Sequence, residues 1–522
     1  MSTHKYVLAI LAAGTIACAA SAQTTFSPRF DALNQYPSTQ LQVDLNGDGI
    51  PDFLSFSSGS GLKELLSAGG GAYTLHTLSS ESSYVPLASG DFNHDGKNDV
   101  LFYDYTGGSR LFVIGYGNGA GGFSSFEAAP NLPGVVTGEL STIVAETGDF
   151  NHDGRPDVAM AYQDNSNSSA RVIRVVLFLN NGSGFTNAGT IYQYNMPQGS
   201  QGGVTYDNSP EFDLRIGDYD ADGHGDLALR YLITPPDNPV QPSESLVVLY
   251  GNGAGKFTPV TVFANRQSDM VINSADLNDD GATDLVGASI DHTVRVFYGH
   301  TNRTFTQTVL SSSSSNGALN YAPQIADFDG NGLKDIAFAA DDTAANSNDS
   351  GIRVLYQTAR GVFSMGAYTK TDNFNINSVG EYPFTDVFVG DYNHNMKPDV
   401  SLFLSDVSAN HSDSLGLMLN TGSHTVGTCA PPALGIHVCS PGSTASSTSV
   451  AFNLSATSFY RLRKMEIWVD GVKKSETYHV FGTQGYDQVK LTLPAGKHTV
   501  GLYAVAFDES MALHTSFALT VP

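Results

Sequence analysis

Basic residues are scarce in this chain. It has 26 Lys and Arg against 51 Asp and Glu, which gives a formal net charge of −25 at pH 7. Binding to a nucleic-acid backbone needs clustered Lys and Arg, so this balance argues against a DNA or RNA partner. It also argues against electrostatic docking on an anionic bilayer. With 41% hydrophobic residues among 522, the chain can nevertheless bury a large core, which excludes a disordered protein.

Long hydrophobic runs are also lacking outside the N-terminus. There, Lys5 precedes an apolar run that starts at Tyr6, and the Ala-Ser-Ala triplet ending at Ala22 matches a signal-peptidase site. We expect residues 1–22 to be a signal peptide, and the protein to be secreted, at the cell surface or in the periplasm. A lipoprotein anchored through Cys18 is the alternative, although Thr15 stands where that signal usually has Leu. No other run reaches the ~18 residues of a membrane span, so none is expected after signal removal.

Cysteine is rare as well, with three residues in the chain. Removal of the signal peptide leaves Cys429 and Cys439, which in an oxidising compartment are expected to form a disulfide; two free thiols are the alternative.

Catalytic motifs are missing too. The chain has neither H-E-x-x-H nor G-x-S-x-G, and no His/Cys cluster has zinc spacing. A G-x-G-x-x-G match at 117–122 lies between two predicted strands rather than before a helix. We therefore predict that the protein is not an enzyme.

Acidic loops are what the chain has in abundance. The nine-residue pattern Asp-x-Asp/Asn-x-Asp-Gly-x-x-Asp occurs seven times, and the starts are 47 to 69 residues apart. We number the copies loop one to loop seven; they span residues 44–52, 91–99, 149–157, 218–226, 276–284, 327–335 and 391–399. Such regular recurrence is typical of a repeat architecture.

Short strand-like segments flank every loop. Two runs rich in β-branched and aromatic residues follow each copy, and a glycine-rich turn then ends in an aromatic residue such as Phe123 or Phe257. Each repeat thus supplies four strands: one before the Asp loop, one after it, one before the Gly-rich turn and one after that turn. Seven such repeats predict an all-β fold with a seven-bladed β-propeller over residues 24–426. The seventh repeat lacks its last strand. We expect the N-terminal segment that starts at Phe26 to complete that blade, because this leaves no unpaired edge.

The pattern changes beyond the last loop. Residues 427–447 form a Pro- and Ser-rich junction that includes the first strand of the next domain, and residues 448–522 alternate between strands and turns. Short strands over such a length, with Trp468 inside one of them, predict an immunoglobulin-like β-sandwich.

Each loop offers oxygen ligands at positions one, three, five and nine. Hard oxygens at this spacing suit Ca²⁺, and glycine at position six permits the left-handed corner. The predicted ligands are Asp44, Asn46, Asp48 and Asp52; Asp91, Asn93, Asp95 and Asp99; Asp149, Asn151, Asp153 and Asp157; Asp218, Asp220, Asp222 and Asp226; Asp276, Asn278, Asp280 and Asp284; Asp327, Asp329, Asn331 and Asp335; and Asp391, Asn393 and Asp399.

The loops are not equivalent as sites. An EF-hand is excluded because position twelve never holds Glu, whereas simple Asx-rich turns remain an alternative. Loop four has four carboxylates and is expected to bind Ca²⁺ most tightly. Loop seven has Asn395 and Met396 where Asp and Gly are preferred, so its site is expected to be weak or empty. We therefore expect about six Ca²⁺ ions, or seven if loop seven also binds.

These loops and the Gly-rich turns ending in Phe resemble the FG-GAP/VCBS repeats of integrin-α-like propellers. The resemblance covers roughly residues 24–426 and implies calcium-dependent binding or adhesion. The C-terminal segment resembles Ig-like modules of bacterial secreted proteins more weakly. Some relatives are lectins and others polysaccharide lyases, and the fold alone does not decide between them.

The long connections between strands are expected on the face opposite the Asp loops, where binding loops are often found. The aromatic residues predicted to bind a ligand there are Tyr194, Tyr206, Tyr321, Phe374 and Tyr382. We expect a monomer that recognises an extracellular glycan or protein. The alternatives are a lyase that uses this face and a purely structural module.

Overall fold

The structure is almost entirely β. A computed structural model of the chain describes residues 25–32, 39–57, 59–78, 83–104, 106, 112–130, 132, 143–167, 171–197, 210–233, 243–278, 280–289, 291–312, 321–331, 333–342, 349–375, 384–404, 414–422, 429–432, 434–458, 462–477, 480–481, 484–506 and 512–522. None of these residues is helical, and within them no helix is present that is long and apolar enough to cross a bilayer.

Strands rich in Val, Ile, Leu and aromatic residues follow one another along the whole chain. The first group is β1 (Phe26–Ala32), β2 (Thr39–Val43), β3 (Asp52–Ser57), β4 (Gly61–Ser67), β5 (Tyr73–Thr77), β6 (Tyr84–Gly90), β7 (Asp99–Asp104), β8 (Phe112–Gly117) and β9 (Phe123–Ala128). The next is β10 (Ile143–Gly148), β11 (Asp157–Asp164), β12 (Val172–Asn180), β13 (Phe185–Asn195), β14 (Glu211–Gly217), β15 (Asp226–Ile233), β16 (Ser243–Gly251) and β17 (Phe257–Arg266).

The second half of the chain continues in the same way. It contains β18 (Met270–Ala275), β19 (Asp284–Ser289), β20 (Thr293–His300), β21 (Thr304–Ser312), β22 (Gln324–Ala326), β23 (Asp335–Asp342), β24 (Asp349–Ala359), β25 (Val362–Met365), β26 (Thr369–Asn375), β27 (Phe384–Gly390), β28 (Asp399–Leu404) and β29 (Ser414–Asn420). The C-terminal strands are β30 (Gly435–Ser440), β31 (Ser449–Thr457), β32 (Leu462–Val469), β33 (Val472–Thr477), β34 (Val480–Phe481), β35 (Gln484–Thr492), β36 (Gly496–Ala506) and β37 (Ala512–Val521).

Strands β1 to β29 form antiparallel sheets, most of them of four consecutive strands. Among the described residues the sheets are sheet one (β2–β5), sheet two (β6–β9), sheet three (β10–β13), sheet four (β14–β17), sheet five (β18–β21), sheet six (β22–β25, with β26 beside β24) and sheet seven (β27–β29 with β1). The exceptions are sheet six, which has a fifth strand, and sheet seven, which includes the N-terminal strand β1. In sheet seven, the N-terminal strand β1 pairs with β29 from Phe26 opposite Asn420 to Ala32 opposite Ser414. The last sheet is therefore built from both ends of the repeat region.

The sheets follow one another around a closed path. The first strand of each sheet lies against the first strand of the next one, and β27 of sheet seven lies against β2 of sheet one. Successive side chains of a strand point to opposite faces of its sheet. In β11, Met160 accordingly packs in the apolar cluster shared with sheet two, whereas Ala159 packs in the cluster shared with sheet four. Radially arranged four-stranded antiparallel sheets that pack face to face define a β-propeller architecture.

Hydrogen bonds link neighbouring sheets at the loops. The carbonyl of the second loop residue accepts a hydrogen bond from the following sheet: Leu45 from the Gly121 amide at 3.1 Å, Phe92 from Asn180 Nδ2 at 2.8 Å, Phe150 from the Gly255 amide at 2.9 Å, Leu277 from Gln357 Nε2 at 3.0 Å, Phe328 from Asn420 Nδ2 at 3.0 Å, and Tyr392 from the Gly71 amide at 3.1 Å. Loop four uses the neighbouring residue, since the Asp218 carbonyl accepts from the Thr283 amide at 2.7 Å. The bond between the Gly71 amide and the Tyr392 carbonyl joins sheet seven back to sheet one.

The C-terminal strands form a β-sandwich. One sheet has the order β30-β31-β35-β34 and the other β33-β32-β36-β37, and Phe452, Ile467 and Leu502 pack together between them. Asp470 and Gly471 both have positive φ and join β32 to β33, as expected for a two-residue hairpin. Cys429 and Cys439 are joined by a disulfide at the start of this domain.

Candidate metal centres

The Asp loops share one hydrogen-bonding scheme, which loop two illustrates. Asp91 at position one accepts from the backbone amides of Asp95 and Gly96, both at 3.0 Å, through its two carboxylate oxygens. Asn93 Oδ1 accepts from the Asp95 amide at 2.9 Å, and Asp95 Oδ1 accepts from the Lys97 amide at 3.1 Å. The position-one carboxylates of loops three, four, five and seven accept the same pair of bonds, from the amides at positions five and six. Asp44 accepts from the amides of Gly47 and Gly49, at positions four and six, and Asp327 accepts from the Asn331 amide at position five. The oxygens at positions one, three and five are thereby held on the inside of one tight turn.

The carboxylate at position nine connects two strands. Asp99 is the first residue of β7, and its Oδ2 accepts from the Phe92 amide in the loop while its Oδ1 accepts from the Gly117 amide at the end of β8, both at 2.9 Å. The corresponding carboxylates of the other loops bridge in the same way: Asp52 to Ser67, Asp157 to Asn180, Asp226 to Gly251, Asp284 to Gly299, Asp335 to Gln357 and Asp399 to Asn420. Position nine thus has a structural role in addition to being a candidate ligand.

Positions four and six of the turn adopt left-handed backbone conformations wherever the structure describes them; position four of loop five and position six of loop six lie outside the described residues. Position six has positive φ, for example 83° at Gly96, as the sequence predicts. Position four also has positive φ, with values near 60° at His94, His152, Ala221 and His394. The left-handed conformation of position four is not evident from the sequence, because residues with a β-carbon rarely adopt it.

Burial makes the loops electrostatically costly without a positive partner. It raises the pKa of Asp44 to about 6 and those of Asp52, Asp99 and Asp157 to about 7, against the opposing effect of the backbone amides that they accept. The other loop carboxylates add to the increase by repulsion. A divalent cation among these oxygens would offset both the cost of burying the carboxylates and the repulsion between them.

The carboxylates converge most closely in two loops. Ligand oxygens of Asp218, Asp220 and Asp222 in loop four lie within 4.8 Å of one another, as do those of Asp327, Asp329 and Asp335 in loop six. Asp220 Oδ1 is buried and has no hydrogen-bond partner. A set of carboxylate and amide oxygens with such an orphaned atom fits a hard cation. Cys429, His437 and Cys439 also lie together, but both thiols are used in the disulfide.

A guanidinium group already lies against loop four. Arg303, in the turn between β20 and β21 of sheet five, places Nε 2.6 Å from Asp220 Oδ2 and Nη2 3.6 Å from Asp222 Oδ2. Its guanidinium carbon stands 4.6 Å from the centre of the Tyr250 ring. This cation competes with calcium for two of the four carboxylates of loop four, which opposes the tight binding expected from the sequence.

Two further contacts near the loops were not foreseen. His152 Nε2 and His224 Nδ1 are 3.0 Å apart and connect loops three and four. Tyr486 and Gln484 of the C-terminal domain reach loops seven and one, respectively. All three contacts join residues that are remote in sequence, so no local motif predicts these contacts.

The aromatic residues predicted to bind a ligand are only partly described. Tyr194 packs on Tyr231, with ring centroids 5.0 Å apart, and Tyr321 is partly buried against the cluster around Phe328. Both rings therefore contribute to packing between sheets. Phe374 lies in β26, but its side chain, together with Tyr206 and Tyr382, lies outside the described residues.

Comparison with known proteins supports the repeat assignment. An FG-GAP-like repeat model matches residues 44–102 and 276–338, which include loops one, two, five and six. No curated protein is similar enough in sequence to count as a match.

Several solved structures resemble the chain in part. AofleA from Arthrobotrys oligospora is 10% identical, with a TM-score of 0.36 over 66% of this chain and 90% of that one. BBS1N, in complex with ARL6DN, is 12% identical, with a TM-score of 0.44 over 77% of this chain and 99% of that one. The Aleuria aurantia lectin, in complex with alpha-methyl-L-fucoside, is 10% identical, with a TM-score of 0.35 over 66% of this chain and all of that one (100%). Since these TM-scores are all below 0.5, the likenesses carry no argument about this chain. The repeat match and the sheet topology together show that the chain contains FG-GAP-like repeats within an all-β, propeller-type fold.

Proposed function

We propose that this chain is a secreted, calcium-binding, seven-bladed β-propeller that recognises an extracellular glycan or protein, followed by an immunoglobulin-like domain. The observation that carries the proposal is the repetition of one oxygen-lined turn in the loops of all seven sheets. An Asx-rich turn needs only one such side chain to form. In loops one to six, the position-nine carboxylate is buried and the position-one carboxylate is buried or, for Asp44, half-buried, which a cation shared by the two would explain.

Calcium has a structural role in this proposal. The position-nine carboxylate already links the second and third strands of its sheet, as Asp99 links β7 and β8. The loop also touches the next sheet through its position-two carbonyl, as Phe92 does through Asn180. A bound ion would supply the positive charge that lets positions one, three, five and nine remain ionised together. It would therefore stabilise both the sheet and its junction with the next one.

Ligand recognition is assigned to the face opposite the Asp loops. The C-terminal domain lies against loops one and seven, where Gln484 and Tyr486 are buried, so part of the loop-bearing face is covered. At the opposite end of sheet four, Glu211 is 61% exposed beside the buried Arg230. Exposed polar groups next to long connections suit a polar ligand such as a glycan or a protein surface.

A glycan array and a panel of extracellular matrix proteins test this proposal with the mature chain. The array and the panel are each probed with the mature chain in millimolar calcium, in chelator, and in chelator followed by restored calcium. We expect binding to a restricted set of ligands that is lost in chelator and regained with calcium. Binding to nothing in any condition would favour the purely structural alternative. New unsaturated products from uronic-acid polymers would instead favour the lyase.

A further inference from the structure

Loop seven differs from the other six at the corner residue. Position six is Met396, with φ 64°, where the other loops have glycine. The turn nevertheless keeps its hydrogen bonds, since Asp391 accepts from the Asn395 amide at 2.9 Å and from the Met396 amide at 2.7 Å. A side chain with a β-carbon is disfavoured in the left-handed region, so methionine at this corner costs free energy that glycine would not.

Met396 packs against an apolar cluster to which both domains contribute. It is partly buried there, and the buried members of the cluster include Phe328 of the propeller and Tyr486 of the C-terminal domain. Tyr486 lies in β35 and is only 1% exposed, although it projects from a different domain. The methionine therefore supplies apolar surface at a domain junction, which glycine could not provide.

The same junction uses the oxygen at position one. The Tyr486 hydroxyl donates to Asp391 Oδ2 at 3.4 Å, and that oxygen also accepts the Met396 amide. Nearby, Gln484 Nε2 donates to the carbonyl of Gly49 in loop one. Two buried polar side chains of β35 thus hold neighbouring loops of sheets seven and one.

The donor set of loop seven fits calcium less well than those of the other loops. Only Asp391 and Asp399 supply carboxylates, because positions three and five are Asn393 and Asn395. One of the four carboxylate oxygens, Asp391 Oδ2, accepts a hydrogen bond from the Tyr486 hydroxyl. A hydroxyl donor and a cation cannot occupy the same side of that oxygen.

We propose that loop seven holds no calcium and is instead the socket that fixes the C-terminal domain on the loop-bearing face. Gln484 and Tyr486 are the docking residues; Asp391 accepts the tyrosine hydroxyl, and Met396 packs against the apolar cluster that contains the tyrosine. The metal part of this proposal depends on the proposed function, whereas the docking part does not.

Docking is tested in the full mature chain, in chelator, by hydrogen–deuterium exchange and small-angle scattering. For Tyr486→Ala we expect at least about tenfold faster exchange in peptides covering 391–399 and a larger maximum dimension than in the wild-type chain. Tyr503→Ala is the matched control, since Tyr503 contacts Trp468 and His514 within the C-terminal domain. Fluorescence of Trp468, the only tryptophan of the chain, reports whether that domain stays folded.

Unchanged exchange and dimensions in a folded Tyr486→Ala chain would overturn the docking role. Should this variant unfold the domain, Met396→Gly provides the second test from the propeller side, with the same expected and contradicting results.

Calcium stoichiometry tests the metal part. Asp391→Asn is expected to leave the number of bound ions unchanged, whereas Asp91→Asn, at the matching position of loop two, is expected to lower it by one. A loss of one ion in Asp391→Asn would overturn the proposal. A wild-type chain that binds no calcium would refute the proposed function, and the exchange experiment would still decide the docking role.

Discussion

The backbone amide of Gly71 donates a 3.1 Å hydrogen bond to the carbonyl oxygen of Tyr392, which links the first sheet of the repeat region to the last. The two residues are far apart in sequence, yet their bond is equivalent to the one between Gly121 and Leu45 in adjacent sheets. Together with the pairing of β1 and β29, it leaves the first and last sheets joined in the same way as any other neighbours. Closure of the ring of sheets therefore depends on both ends of the repeat region.

The closing strand should contribute measurably to stability. Phe26 of β1 packs on Phe328 with ring centroids 6.1 Å apart. Phe26→Ala is expected to lower the free energy of unfolding by about 2 kcal/mol, because a large partly buried ring is lost. Ser27→Ala, on the neighbouring exposed position, serves as the control and should change it by less than about 0.5 kcal/mol. Equal effects in denaturant titrations would show that β1 contributes little to closure.

Positions five and nine of a loop should behave differently without metal. In loop five, Asp284 is fully buried and accepts from the amides of Leu277 and Gly299 at 2.9 and 2.8 Å. Asp284→Ala leaves both amides without acceptors and is expected to destabilise the metal-free protein by about 2 kcal/mol.

The matched variant is Asp280→Ala at position five, whose Oδ2 accepts an exposed hydrogen bond from Asn278 and whose Oδ1 accepts from the Ala282 amide at 2.9 Å. In chelator we expect a destabilisation below about 1 kcal/mol, because only one backbone amide loses its acceptor, but in calcium a clear loss of the stabilisation that calcium gives. Thermal unfolding with and without calcium separates the two variants. If Asp280→Ala were as harmful in chelator as Asp284→Ala, the distinct roles assigned to these positions would be wrong.

Arg303 should weaken calcium binding at loop four. Its guanidinium lies 2.6 Å from Asp220 Oδ2, and a cation binding there must overcome its charge. Arg303→Gln is expected to raise the affinity of this loop roughly three- to tenfold, which corresponds to about 1 kcal/mol of repulsion at the protein surface. Calcium titration calorimetry measures the change.

Arg295→Gln is the control, because Arg295 pairs with Asp291 in the same sheet and should leave the affinity unchanged. Adding Asp220→Asn to the Arg303 variant should abolish the gain and thereby assign it to loop four. An unaltered or lower affinity in Arg303→Gln would mean that the arginine supports the loop rather than competing with the ion.

Features encoded locally were predictable from the sequence. The outer strands expected to begin at Phe123 and Phe257 do so, because an aromatic residue after a Gly-rich turn is a local signal. The position-six corner followed from its glycines for the same reason. The all-β fold could likewise be inferred, because short apolar strands separated by turns recur throughout the repeats.

Contacts between distant segments were not predictable. Arg303 reaches Asp220 across 83 residues, and Tyr486 reaches Asp391 across 95, since packing of sheets and domains brings them together. Neither arginine nor tyrosine carries a motif that identifies its partner. The packing of Tyr194 on Tyr231 was missed because a partly buried ring between sheets and an exposed ring on a loop look alike in sequence.

The calcium content of the mature chain, after equilibrium dialysis against millimolar calcium, tests the central claim most directly. We predict about six ions per chain, one for each of loops one to six, and none retained after dialysis against a chelator. A chain that binds no calcium under these conditions would contradict this prediction, because the carboxylates of loops one to six would then have to be stable together without a cation.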